Sequence, residues 1–329
     1  MSEKYSGGSS AHNPEALSSG EKIRPKPVLP ADMLVFERGW LSANNILFVG
    51  PDKTTLVDTG YWTHADQTLA LVQNALGPRA LDAIANTHLH SDHCGGNAAL
   101  QSRYPKLETW IPPGQTAEVC NWDSEALTYL PTGQHCPRFN FTGTLQPGRT
   151  IRFGMNDWEI HAAAGHDPHA VIFFEPVKKL LMSADSLWEN GFGVVFPELE
   201  GEDAFEQVAL TLELIERLRP EIVIPGHGSI FFYNEAILQR AKERLNAFVN
   251  DPLRHARYAA KVLLKFKLLE MQRMSYLNLV DWAARTPYII NIENRFFSEI
   301  PLLTWIEDLC QDLVVAGAAK LDGAYIVNA

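Results

Sequence analysis

The sequence predicts an α/β fold with mixed sheets, followed by a mainly helical C-terminal region. Three observations carry this. Short apolar runs bounded by turn residues recur from about residue 33 to 224. Helical stripes interleave with them, at 65–76 and 204–218. Past about residue 235 the runs give way to successive amphipathic helices. The chain has 329 residues, 46% hydrophobic and 20% charged, an ordinary globular composition long enough for one large domain and a smaller one. The division expected is a flexible tail at 1–26, a principal domain at 27–235 and a helical region at 236–329.

The tail is read from Ser, Gly, Lys and Glu with few large apolar residues, and Pro25, Pro27 and Pro30 close it. Strands are predicted at 33–36, 45–49 and 54–58. The helix at 65–76 carries Leu69, Leu71, Val72 and Leu76 on a helical stripe, and Gly77-Pro78 stops it. A buried strand at 81–86 leads into a polar cluster, and 95–104 reads as the helix behind it. Residues 112–150 are proline-rich and irregular, which suits a functional loop or cover. Strands resume at 150–153, 158–161, 171–174 and 179–182, then the helix at 204–218 and a strand at 221–224. Helices are predicted at 234–250, 252–271, 275–286 and 300–316. Near the end, Asp322-Gly323 between apolar runs signals a hairpin.

The polar cluster is Thr87-His88-Leu89-His90-Ser91-Asp92-His93-Cys94. Four metal-capable side chains fall within six residues. Two histidines at i and i+2 point the same way from an extended segment, whereas Asp92 and His93 turn away. One ion cannot easily take all four, so two adjacent metals are favoured. Downstream, His166, Asp185 and His227 each stand where an apolar run empties into a loop. Cys94 follows a histidine directly, but reads as a small buried residue rather than a ligand.

His88-x-His90-x-Asp92-His93, then Gly165-His166, Asp185 and Gly226-His227, resemble the metallo-β-lactamase-fold hydrolase superfamily, over roughly residues 30–235. Asp58, in Leu56-Val57-Asp58-Thr59-Gly60, also matches, as an acidic turn supporting the metals. The resemblance implies a four-layer αββα sandwich for 27–235 and a winged-helix-like C-terminal appendage. It implies that His88, His90 and His166 hold one metal, that Asp92, His93 and His227 hold another, and that Asp185 bridges them. The ions implied are two zinc, with iron or manganese as alternatives. The function implied is a zinc-dependent metallohydrolase that uses a metal-bridging hydroxide on a small carbonyl substrate, a thioester, lactone or β-lactam-like group. Asp92 could also relay the proton. The other classes weighed are a mononuclear iron persulfide dioxygenase-like enzyme and a phosphodiesterase or DNA-binding regulator.

Composition bounds the partners. The net charge of −11 disfavours nucleic acid. Lys261, Lys265, Lys267 and Arg273 form the only basic stretch near the end, and read as a solvated helix face. No apolar run is long enough for a membrane span, and the first residues lack the apolar core of an export signal. The four cysteines have no paired spacing, so reduced thiols and a cytoplasmic setting are expected. The partner expected is a small molecule, with the appendage packing on the core or forming a homodimer. Substrate-pocket candidates are Trp40, Tyr61, Trp62, His169, Trp188 and Phe192, each with plain loop packing as the alternative.

Overall fold

The computed structural model describes residues 27–329, so the segment read as a tail lies outside the described residues. The first sheet contains β1 (Met33–Phe36), β2 (Asn45–Val49), β3 (Thr54–Val57), β4 (Ala83–Ala85), β5 (Glu108–Ile111) and β6 (Gly143–Thr144), paired in that order. Its first three strands are antiparallel and the rest parallel. The second contains β7 (Thr150–Phe153), β8 (Asn156–Ala162), β9 (Val171–Glu175), β10 (Leu180–Ala184), β11 (Ile222–Pro225) and β12 (Phe231–Phe232). Only β10 and β11 run parallel there. Every residue of β9 and β10 is buried, as continuous apolar strands covered on both faces must be.

The two sheets face each other across a core that includes Phe48, Val57, Phe153, Trp158, Phe173 and Ile224. Helices α1 (Ala65–Leu76), α2 (Ser91–Cys94), α3 (Asn97–Arg103) and α4 (Thr116–Asn121) follow the first sheet's strands. Thr68, Val72 and Leu76 are the buried stripe of α1, and with Leu100 of α3 it packs on Leu47, Leu56 and Ile84. On the far side, α6 (Ala204–Leu218) and α7 (Glu235–Asn250) cover the second sheet, while the short α5 (Phe196–Glu200) sends Leu199 into the core of the C-terminal helices. The molecule is therefore a four-layer αββα sandwich. Although α7 falls after the division expected at 235, its Ile237, Leu238, Ala241, Leu245 and Phe248 join the same core as α6.

The appendage begins with α8 (Pro252–Met271). The Asp251 side chain accepts from the Arg254 backbone N–H, and Pro252 takes the first turn, where its missing donor costs nothing. Then come β13 (Arg273–Ser275), α9 (Tyr276–Ala283), α10 (Pro287–Phe296), α11 (Leu302–Val315), β14 (Ala319–Asp322) and β15 (Tyr325–Asn328). The predicted hairpin forms β14 and β15, turning at Gly323, and β13 completes a sheet in the order β13-β15-β14. This helix-strand-helices-hairpin order is winged-helix-like. Trp305, Ile306, Leu309, Leu263, Leu264 and Ile289 fill its core.

Candidate metal centre

The loops leaving parallel strands of both sheets converge on one spot. β4 leads into 86–94, β10 into Asp185 and β11 into His227. Two donor groups result. His88, His90 and His166 form one; Asp92, His93, Asp185 and His227 form the other, with the ligand atoms of each group within 4.8 Å of one another. His90 Nδ1 and His166 Nε2 stand 2.9 Å apart, and His227 Nε2 is 3.0 Å from Asp92 Oδ2. Asp185 Oδ2 lies between the groups, 3.4 Å from His166 Nε2, 3.5 Å from His93 Nε2 and 3.8 Å from His227 Nε2. All seven residues proposed from the sequence as ligands are thus brought together, with Asp185 grouped with Asp92, His93 and His227 and also 3.4 Å from His166.

A metal fits this arrangement on physical grounds. The Nε2 atoms of His88 and His93 are buried without a hydrogen-bond partner. Such polar atoms are costly unless something satisfies them. Imidazoles and carboxylates are the donors that zinc, iron and manganese accept. Burial, together with neighbouring imidazoles, pushes the His88 ring well below its usual pKa, and His166 falls to about 4. Both rings are then neutral, as ligation requires. Burial alone would lower His93 as well, but Asp185, Asp58 and Asp92 hold it well above the usual value. Burial likewise opposes ionisation of Asp185, yet His93 and His227 keep it well below the usual carboxylate range.

The backbone allows this crowding at particular points. A bulge interrupts β10 between Met182 and Ala184, and Ala184 is left-handed at φ 45°. That turn aims the next side chain, Asp185, into the site. At Gly226 a Cβ would stand 2.2 Å from Asp185 Oδ1, and at Gly193 one would stand 2.4 Å from His166 Nδ1. Only glycine fits either place. Asp58 supports the site from below, its carboxylate 2.8 Å from His93 Nδ1.

The pocket candidates divide. Trp40, Trp188 and His169 line the cavity over the donors. Trp40 stacks on His227 at 5.4 Å, and the Trp188 indole donates to Asp185 Oδ1 at 3.2 Å. Tyr61 does not reach the cavity; it is fully buried against Phe266, its hydroxyl on Glu270. Phe192 is 1% exposed and packs beside Phe248, while Trp62 lies outside the cavity against His135. For these three the aromatic body is core or surface packing, the alternative weighed for each. Cys94 turns from the donors, its Sγ 3.8 Å from Cys136 and 3.3 Å from the Tyr129 hydroxyl.

Sequence reasoning missed several cavity residues. Asp167 is 4% exposed, and its carboxylate lies 3.7 Å from His90 Nε2. Burial raises that carboxyl above its usual value. Its position directly after His166 was the available signal. Gln115, Thr128, Thr132 and Gln134 come from the stretch read as a cover, which forms one cavity wall. The opposite wall is α8, which no motif marks.

Residues 38–227 match the metallo-beta-lactamase superfamily, and the chain belongs to it. A hydroxyacylglutathione hydrolase of Synechococcus sp. (strain JA-3-3Ab) is 27% identical over 192 residues, 56% of this chain. The match spans 62% of that relative's own length. The acyl-coenzyme A thioesterase MBLAC2 of Gallus gallus is 26% identical over 240 residues, covering 65% of this chain and 84% of its own. Among solved structures, TTHA1623 in a di-iron-bound form superposes with a TM-score of 0.50 at 26% identity, over 63% of this chain and 96% of that one.

Proposed function

We propose that this chain is a metal-dependent hydrolase of a small carbonyl substrate, in the order of preference thioester, lactone, then β-lactam-like group. The observation that carries the reading is Asp185 Oδ2, within 3.8 Å of nitrogen donors from both groups. A shared carboxylate of this kind suits two ions side by side, two zinc in our reading, with iron or manganese as alternatives. Two divalent ions there supply Lewis acidity toward the carbonyl and make a bound water acidic near neutral pH. His88, His90 and His166 would hold the first, and Asp92, His93 and His227 the second.

The chain's own residues do the rest. Asp92 lines the cavity with its Oδ2 3.0 Å from His227 Nε2, so it is placed to take the water's proton and return it to the departing thiol, alcohol or amine. Water's oxygen ends on the carbonyl carbon, and the C–S bond of a thioester, C–O bond of a lactone or C–N bond of a lactam breaks. Trp40 and Trp188 shield the His227 side from solvent. The names of the two relatives, both thioester hydrolases, support a thioester before a lactone. The complete second donor group favours two ions over the mononuclear iron alternative. Lys265 is the only Lys or Arg lining the cavity among the described residues, which counts against phosphodiesters.

The test is elemental analysis joined to turnover. The native protein should carry about two ions per chain and hydrolyse thioesters. Asp185→Ala and His93→Ala should each lose an ion and reduce kcat/KM by at least about a hundredfold, with the fold intact by circular dichroism. Retained activity in both variants would end the two-ion reading.

A further inference from the structure

The cavity over the donors has a volume of about 500 Å³ and runs from them to the C-terminal helices. This is within the size of small-molecule sites. Its walls differ in chemistry. The 115–134 side offers amides and hydroxyls, whereas α8 offers an apolar stripe. That helix carries two such stripes. One, including Ala260, Leu263, Leu264 and Leu268, is buried in the appendage core. The other is Tyr258, Val262, Phe266 and Leu269, half-buried and lining the cavity. The spacing i, i+4, i+8, i+11 keeps them on one face. Phe196 and Tyr288, stacked at 5.4 Å, belong to the same end of the cavity. An apolar stripe facing a cavity is favourable once something apolar fills the space.

Charge narrows what that can be. The Lys265 ammonium is already held by the carbonyls of Ala318 and Ala329, at 2.6 and 3.0 Å, and by Asn328 Oδ1 at 2.5 Å. Glu200 and Glu202 line the same cavity. Among the described residues, an anionic tail would meet carboxylates and no free cation.

We propose that the acyl part of the substrate is uncharged and apolar and lies against α8, so that Tyr258, Val262, Phe266 and Leu269 set the acyl-chain preference. This rests on the carbonyl-hydrolase reading for its reaction, but not for its binding. The appendage is then a specificity wall of the site.

Two measurements on the metal-loaded full chain separate the ideas. The first is kcat/KM on N-acetylcysteamine thioesters of acetate, butyrate, hexanoate and octanoate, with the monothioester of adipate as the charged control. The second is calorimetric binding of the matching neutral carboxamides, which the site does not consume as thioesters. Both should rise by about fourfold per added methylene until the cavity is full. Adipoyl should fall well below hexanoyl. Val262→Phe should move the optimum to shorter chains and Val262→Ala to longer ones, with metal content unchanged. Carboxamides that bind with this increment while no thioester turns over would uphold the acyl slot and end the thioester reading of the reaction. Thioester turnover without chain-length dependence, adipoyl equal to hexanoyl, or Val262 variants with the native profile would overturn the slot and leave the hydrolase reading standing.

Discussion

Asp58 touches no substrate, yet it sets the chemistry of His93. It follows β3 in the left-handed region, at φ 55°, which points its carboxylate under the donors. Oδ1 accepts from the Thr87 backbone N–H at 2.9 Å and Oδ2 from the Thr87 hydroxyl at 2.7 Å. Held this way, Oδ2 faces His93 Nδ1 and fixes the proton there, leaving Nε2 free for a cation. Asp58→Asn keeps the shape and removes the charge. On the proposed two-ion reading, its affinity for the ion at His93 should drop about ten- to a hundredfold in chelator competition, with the ion at His88 unaffected. Equal affinities for both ions in variant and native protein would reduce Asp58 to a scaffold residue. The donors themselves were legible because chemistry demands rare residue types, closely spaced or at strand ends. Asp167 was not, since a single acidic residue in a loop is ordinarily a solvated surface group, and only the fold brings it within 3.7 Å of His90.

Elements were legible in proportion to their local signals. The helix expected at 252–271 forms with those bounds because Asp251-Pro252 starts it in the sequence itself. The strand β5 escaped notice because four residues with alternating burial carry little periodicity. Helix α10 escaped too, although Thr286-Pro287 would have started it. What no local pattern supplies is where a helix face points, and α8 holds an instructive case. His255, near its start, is 1% exposed between Phe205 and Phe248, its Nε2 without a partner. Burial, aided by the Arg244 charge, lowers its pKa from 6.5 to about 4. Its folded pKa is below the unfolded one, so the unfolded chain binds the extra proton between those values. The ring therefore favours folding fully above pH 6.5, and that contribution falls away as the pH drops toward 4, by about 3 kcal/mol. His255→Leu should flatten that part of the Tm-against-pH curve relative to the native protein. Parallel curves over this window would show that the ring takes up its proton in the folded state without penalty.

At the scale of the whole molecule, charge decides what the winged-helix-like appendage does. Its fold alone would suggest DNA, and the basic stretch on α8 is the region such a reading would use. Each of those cations is already engaged. Arg257 and Lys261 share Asp312, at 2.9 and 3.2 Å, and Lys265 holds the chain's C-terminal segment. Lys267 pairs with Glu270 at 2.7 Å and Arg273 with Asp322 at 3.0 Å. Such pairs add little stability when exposed, but they cancel the field that attracts phosphate. The chain's net charge of −11 adds a general repulsion. Binding to duplex DNA gains chiefly when free protein cations displace the counterions condensed on its phosphates, and few cations are free here. We therefore expect no gel retardation of duplex DNA at about 0.15 M salt, where surface charges are screened within roughly 8 Å. A complex that persists there, with an affinity falling steeply as salt rises, would mean that these ion pairs open to admit phosphate.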